Sequence, residues 1–109
     1  MVIMEDFKQI VFRNEDEALV IVPMLQDSLT KVFFLNQLEN DEKSKLEALK
    51  ELCESKIEEP LKYVVAEKGT NIINVEYENG VIELNILDLT DPEKLIVQDS
   101  IQVCIQLIN

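Results

Sequence analysis

Histidine and tryptophan are missing from this 109-residue chain, Arg13 is its single arginine, and glycine, proline and cysteine number two, three and two. Each shortage excludes some chemistry. Without histidine, the commonest general base, the Ser-His and Cys-His nucleophile pairs and the usual zinc ligands are lost together. Gly69 and Gly80 alone cannot build a glycine-rich phosphate cradle, and neither GxxxxGK[ST] nor GxGxxG occurs. One arginine supplies no cluster for bidentate phosphate recognition. A sugar hydrolase built on paired carboxylates would want aromatic platforms, and no alternating Asp/Asn pattern of an EF-hand is present. The inventory therefore points away from catalysis, and no cofactor or metal is expected.

Cys53 and Cys104 stand alone, without a CxxC, and read as buried or half-buried free thiols of a reducing compartment. The longest apolar run, Ala18 to Leu25, has eight residues and includes Pro23, far short of the ~20 needed to span a membrane. The opening MVIMEDF shows no basic leader, long apolar core or small-residue cleavage site, so cytoplasmic residence is the expectation. Met4 is a second possible start, which would make Met1 to Ile3 an extension.

What the chain has in excess is acid. Twenty-two Asp and Glu against ten Lys and Arg give a net charge of -12, with 47% of residues hydrophobic. Such a chain is long enough for one core and one domain. Its charge makes DNA and anionic membranes poor partners and a basic protein surface a natural one. The acid is unevenly placed. Residues 39–68 hold nine acidic and six basic side chains, whereas residues 69–109 hold seven acidic ones and only Lys94. No internal repeat or low-complexity tract is visible.

Leu46, Leu49, Cys53 and Ile57 recur at helical spacing, which predicts a helix through the middle of the chain. Glu39 and Lys43, Asp41 and Lys45, and Glu58 and Lys62 stand four apart beside it. Asn40 or Asp41, or a box of Ser44 with Glu47, would cap its start. Pro60 suits the first turn of a second helix running to Lys68, with Gly69 at its end. From Ile73 the period is two. Ile73, Val75 and Tyr77 precede Asn79-Gly80, and Ile82, Leu84 and Ile86 follow, which reads as a hairpin pairing 77 with 82, 75 with 84 and 73 with 86. Thr90-Asp91-Pro92-Glu93 forms a capping box opening a short helical turn, followed by a last strand with Ile101, Val103, Ile105 and Leu107 inward. In the first 38 residues, Phe7–Arg13 fits a strand or a short helix, residues 18–24 suit a strand, and residues about 27–38 are read as a helix, although Thr30 to Phe34 fits a strand equally well.

The hairpin register sets Glu76 opposite Glu83, an unfavourable pairing of like charges. The two acids could share a cation; splaying into solvent is the simpler reading. Asn74, Glu76, Glu78, Glu83 and Asn85, with Asp88 and Asp91 beyond, form the candidate face for a basic partner. Gln102, Cys104 and Gln106 mark a second surface, either packed under a helix or a strand edge for a homodimer. The expected fold is a single α+β domain, a mainly antiparallel sheet with two to three helices on one face. The expected function is that of an inhibitor or neutraliser of immunity, antitoxin or anti-defence type. An adaptor or chaperone-like module working through apolar or strand-edge contacts is the alternative.

Overall fold

In the computed structural model, which describes residues 7–25 and 29–108, three strands and a helix are followed by three strands and a helix. Strands β1 (Phe7–Arg13), β2 (Ala18–Pro23) and β3 (Lys31–Phe34) lead through a 3-10 turn at Leu35–Gln37 into helix α1 (Asn40–Ile57). Strands β4 (Leu61–Glu67), β5 (Ile72–Tyr77) and β6 (Gly80–Asn85) lead through a second such turn at Ile86–Asp88 into helix α2 (Asp91–Ile108). The strands make one antiparallel sheet in the order β3-β2-β1-β4-β5-β6. This is the expected α+β fold, with two helices.

The order is a palindrome about the β1–β4 junction, so the chain is a tandem repeat in structure that its residue identities hide. β1 and β4 have seven residues each, β2 and β5 six, and the helices 18. Pairing is irregular at Phe7/Gln9 and at the corresponding Leu61/Tyr63. Gln9 pairs with Glu67 and Arg13 with Tyr63, symmetrically about the central pair Val11 and Val65, where a pseudo-twofold axis crosses the sheet. The helices pack on each other, α1 also touching β4 and α2 touching β1. Only apolarity is kept at corresponding inner positions: Ile10 and Val64, Leu19 and Ile73, Ile21 and Val75, Leu46 and Val97, all buried in one core.

Cys53 and Cys104 correspond in the same way, both buried and unpaired. Burial pushes each thiol up to about 12, with Glu54 adding to the effect on Cys53. Both helices begin with a capping box. Glu39 N–H donates to Glu42 Oε1 at 3.4 Å, so α1 is capped from Glu39, ahead of the residues expected to cap it. At α2, Thr90 N–H donates to Glu93 Oε1 at 2.9 Å and Glu93 N–H to Thr90 Oγ1 at 3.4 Å, the box expected there. Lys56 of α1 pairs with Glu93 at 2.7 Å; that ammonium, then the Thr90 donors, hold the Glu93 carboxyl down at about 2.

Four expectations are corrected. Residues 61–67 are a strand: after Pro60, Leu61, Tyr63, Val64 and Val65 sit between β1 and β5, where β-branched and aromatic residues pack well. Lys31–Phe34 is the strand that residues 30–34 also suited, followed by a 3-10 turn, in place of the helix favoured over residues 27–38; residues 26–28, like Met1 to Asp6 and their alternative start, lie outside the described residues. Residues 101–107 belong to α2, because no Gly or Pro stops the helix after Pro92 and Val97, Ser100, Cys104 and Ile108 are buried at helical spacing. The strand edge proposed for a homodimer therefore does not exist: Gln102 and Gln106 are exposed on α2 while Cys104 is buried. Finally, Tyr77 pairs with Gly80, leaving Glu78 and Asn79 as the turn. Neither turn residue has a positive φ; Gly80, at +153°, follows them. The turn is thus not the positive-φ Asn-Gly type, and the register slides by two residues, which keeps every side chain on its expected face.

Candidate functional site

The helices cover one face of the sheet, and no described element covers the other. Alternation places residues on this outer face in cross-strand rows. The central row runs Val32, Val20, Val11, Val65, Asn74, Glu83 from β3 to β6. Beside it runs Phe34, Ala18, Arg13, Tyr63, Glu76, Val81. Val32, Phe34 and Tyr63 are 49%, 44% and 36% exposed, and Val11, Val20, Val22 and Val65 are half-buried. The face is therefore graded: mostly apolar on β3 and β2 and at Val11 and Val65, with Gln9 and Arg13 on β1, and acidic and amide-bearing on β5 and β6, where Ile72 and Val81 are the exposed apolar residues.

The shifted register answers the Glu76–Glu83 problem. Glu83 faces Asn74 and Glu76 faces Val81, so the two glutamates are diagonal neighbours, their backbone positions roughly 7–8 Å apart by sheet geometry. No like-charge pair is forced together. Glu76 accepts a hydrogen bond from the Tyr63 hydroxyl and raises that phenol above its ordinary range. Glu67 adds a third acid on β4. Among the outward positions paired in the sheet, the one cation is Arg13, whose Nη2 is 3.1 Å from Asp16 Oδ2.

Of the seven residues the sequence picks out, Asn74, Glu76, Glu83 and Asn85 share this face. Asn85 also accepts from Leu87 N–H at 3.0 Å, which starts the 3-10 turn. Glu78 stands at the hairpin tip, beside Asn79, which donates to Glu59 Oε1 at 2.7 Å. Asp88 and Asp91 follow the other end of β6, in the 3-10 turn and at the start of α2, and do not join the four. Among the described residues no group of three His, Cys, Asp or Glu side chains is arranged to hold a metal.

No protein-family model, curated protein or solved structure matches the chain. The site is thus read from its own residues. Tyr63, Glu67 and the valine row were missed because residues 61–68 read as a helix and because the outward Val20 and Val22 of β2 look as internal as the inward Leu19 and Ile21, both alternate positions being apolar. Among the described residues no helix is long and apolar enough to cross a membrane.

Proposed function

We propose that this protein is a non-catalytic binding module that docks its outer sheet face on a basic protein surface, as an inhibitor or neutraliser of immunity, antitoxin or anti-defence type. One observation carries the reading: among the described residues, Glu67, Glu76 and Glu83 project from the outer side of a hydrogen-bonded sheet where the one cation at a regularly paired outward position, Arg13, is already engaged by Asp16, while Lys8 and Lys62 stand exposed at the two irregular pairings. Carboxylates fixed on such a scaffold steer a cationic partner and lose little side-chain freedom on contact. Two buried, unpaired thiols fit a reducing compartment such as the cytoplasm.

The valine row favours a second reading, an adaptor using apolar contacts with its charge serving solubility. Salt separates the two. In a capture from native extract washed at low and high ionic strength, the charged-face reading expects a partner retained only at low salt and lost with Glu76→Lys plus Glu83→Lys. Retention unchanged by that double variant removes the acidic face from the account.

A further inference from the structure

Resting on the docking role just proposed, we infer that the outer face seats one particular kind of partner element: an amphipathic helix with lysine or arginine along one flank. Its apolar stripe lies on Val20, Val11 and Val65, and its basic flank lies over Glu67, Glu76 and Glu83.

Three observations narrow the occupant to this. The first is size. The apolar half spans about four strands at roughly 4.8 Å each and is roughly two residue pairs long, on the order of 300 Å². A stable interface takes about 800 Å² from each partner. The valines alone are too few, so a partner must use the acidic half as well.

The second observation is that the face does not complement itself. Two copies stacked face to face are related by a twofold axis lying between the sheets. With that axis across the strands, Glu76 and Glu83 meet the same acids of the other copy. With it along the strands at the sheet centre, they meet the valine half and are desolvated without a cation. Shifting the axis to overlay valines on valines returns the contact to the small apolar area. A second copy of this chain is therefore a poor occupant.

The third is shape and charge. Strands of six or seven residues are roughly 20 Å long, the length of about 14 helical residues. A helix about 10 Å across covers two strand spacings, so one laid along β1 and β4 rests its middle turn on Val11 and Val65, with Val20 and Tyr63 beside them, and leaves its flank over β5. Lysine or arginine stems can lie along Val65 and Tyr63 while their charged ends reach Glu67, Glu76 and Glu83. Apolar and acidic residues are adjacent in the same row, which suits a helix bearing both chemistries.

Two synthetic helical peptides test this. One carries a leucine stripe flanked by lysines; the other keeps the lysines and has glutamine in place of each leucine. The wild-type protein should bind the leucine peptide at least about tenfold more tightly, the effect of burying a few leucine side chains. Val11→Thr with Val20→Thr should close that gap and leave the glutamine peptide unchanged, while Glu76→Gln with Glu83→Gln should weaken both. Equal binding of both peptides to the wild type overturns the helix inference, and if the Gln variant still weakens them the acidic docking face stands. If neither peptide responds to the Gln variant, that parent reading fails instead. Amide shifts in the wild type need no variant: changes centred on Val11, Val20, Val65 and Glu76 support the site, and changes confined to α1 and α2 overturn it.

Discussion

The first βββα half and the second agree on the inside and disagree on the outside. Inward, Leu19 corresponds to Ile73 and Ile21 to Val75, and all are buried. Outward, Val20 corresponds to Asn74, Val22 to Glu76, Val32 to Glu83 and Phe34 to Asn85. The core demands apolar volume from both halves, so most corresponding residues there change only in shape; the exception is Leu49 against Ser100, whose hydroxyl is satisfied by the main-chain carbonyls of Lys45 and Ile96. The outer face makes no such demand, and the two halves carry different surfaces on the same backbone. The first half's outer face is richer in valine and the second half's in acid, although Arg13 in the one and Val65, Ile72 and Val81 in the other depart from that division.

Substitutions break or sharpen that comparison in decreasing order of effect. The largest belongs to the shared interior: Phe12→Ala, at a side chain 2% exposed, should cost about 3–5 kcal/mol in denaturant unfolding. Next is the contact joining the halves through their helices, Lys56 with Glu93. Glu93 has a carboxyl lowered from 4.5 to about 2, so its contribution is present above the ordinary carboxylate range and is lost as pH falls towards 2. The melting temperature of Glu93→Gln should therefore lie below wild type at pH 6, with the difference shrinking steadily between pH 5 and pH 2. The smallest effect is at the end of α1, where Glu58 holds φ 59° and ψ 26°, a left-handed conformation that glycine adopts freely. Glu58→Gly should raise stability by roughly a few tenths of a kcal/mol after the entropy of the unfolded glycine is offset, measurable as a shifted unfolding midpoint.

How much of this is legible in the sequence follows from which patterns are ambiguous. Leu46, Leu49, Cys53 and Ile57 fit only a helix, and Ile73 to Ile86 fits only a hairpin, so α1 and the β5–β6 pair are readable. The chain LIVQDSIQVCIQLI satisfies both periods at once, and only the long stretch free of glycine and proline beyond the Thr90 box distinguishes α2 from a strand. LKYVVAE behind Pro60 is short enough for either state, and what decides it is its position between β1 and β5, which is tertiary information. Four of the seven candidate site residues fall together because period-two alternation fixes faces even when register slides. The apolar half of the site was hidden in β2, whose valines and isoleucine look equally internal until the helices are known to cover one side only.

The central claim is that the outer face is open and that stability resides in the layer beneath it. Giving the first half the second half's outer residues, Val20→Asn with Val32→Glu, tests this through the free energy of unfolding. The account predicts a loss of about 1 kcal/mol or less, as for substitutions at partly exposed strand positions. A loss above about 3 kcal/mol, the scale of burying an unpaired charge or amide, would contradict it.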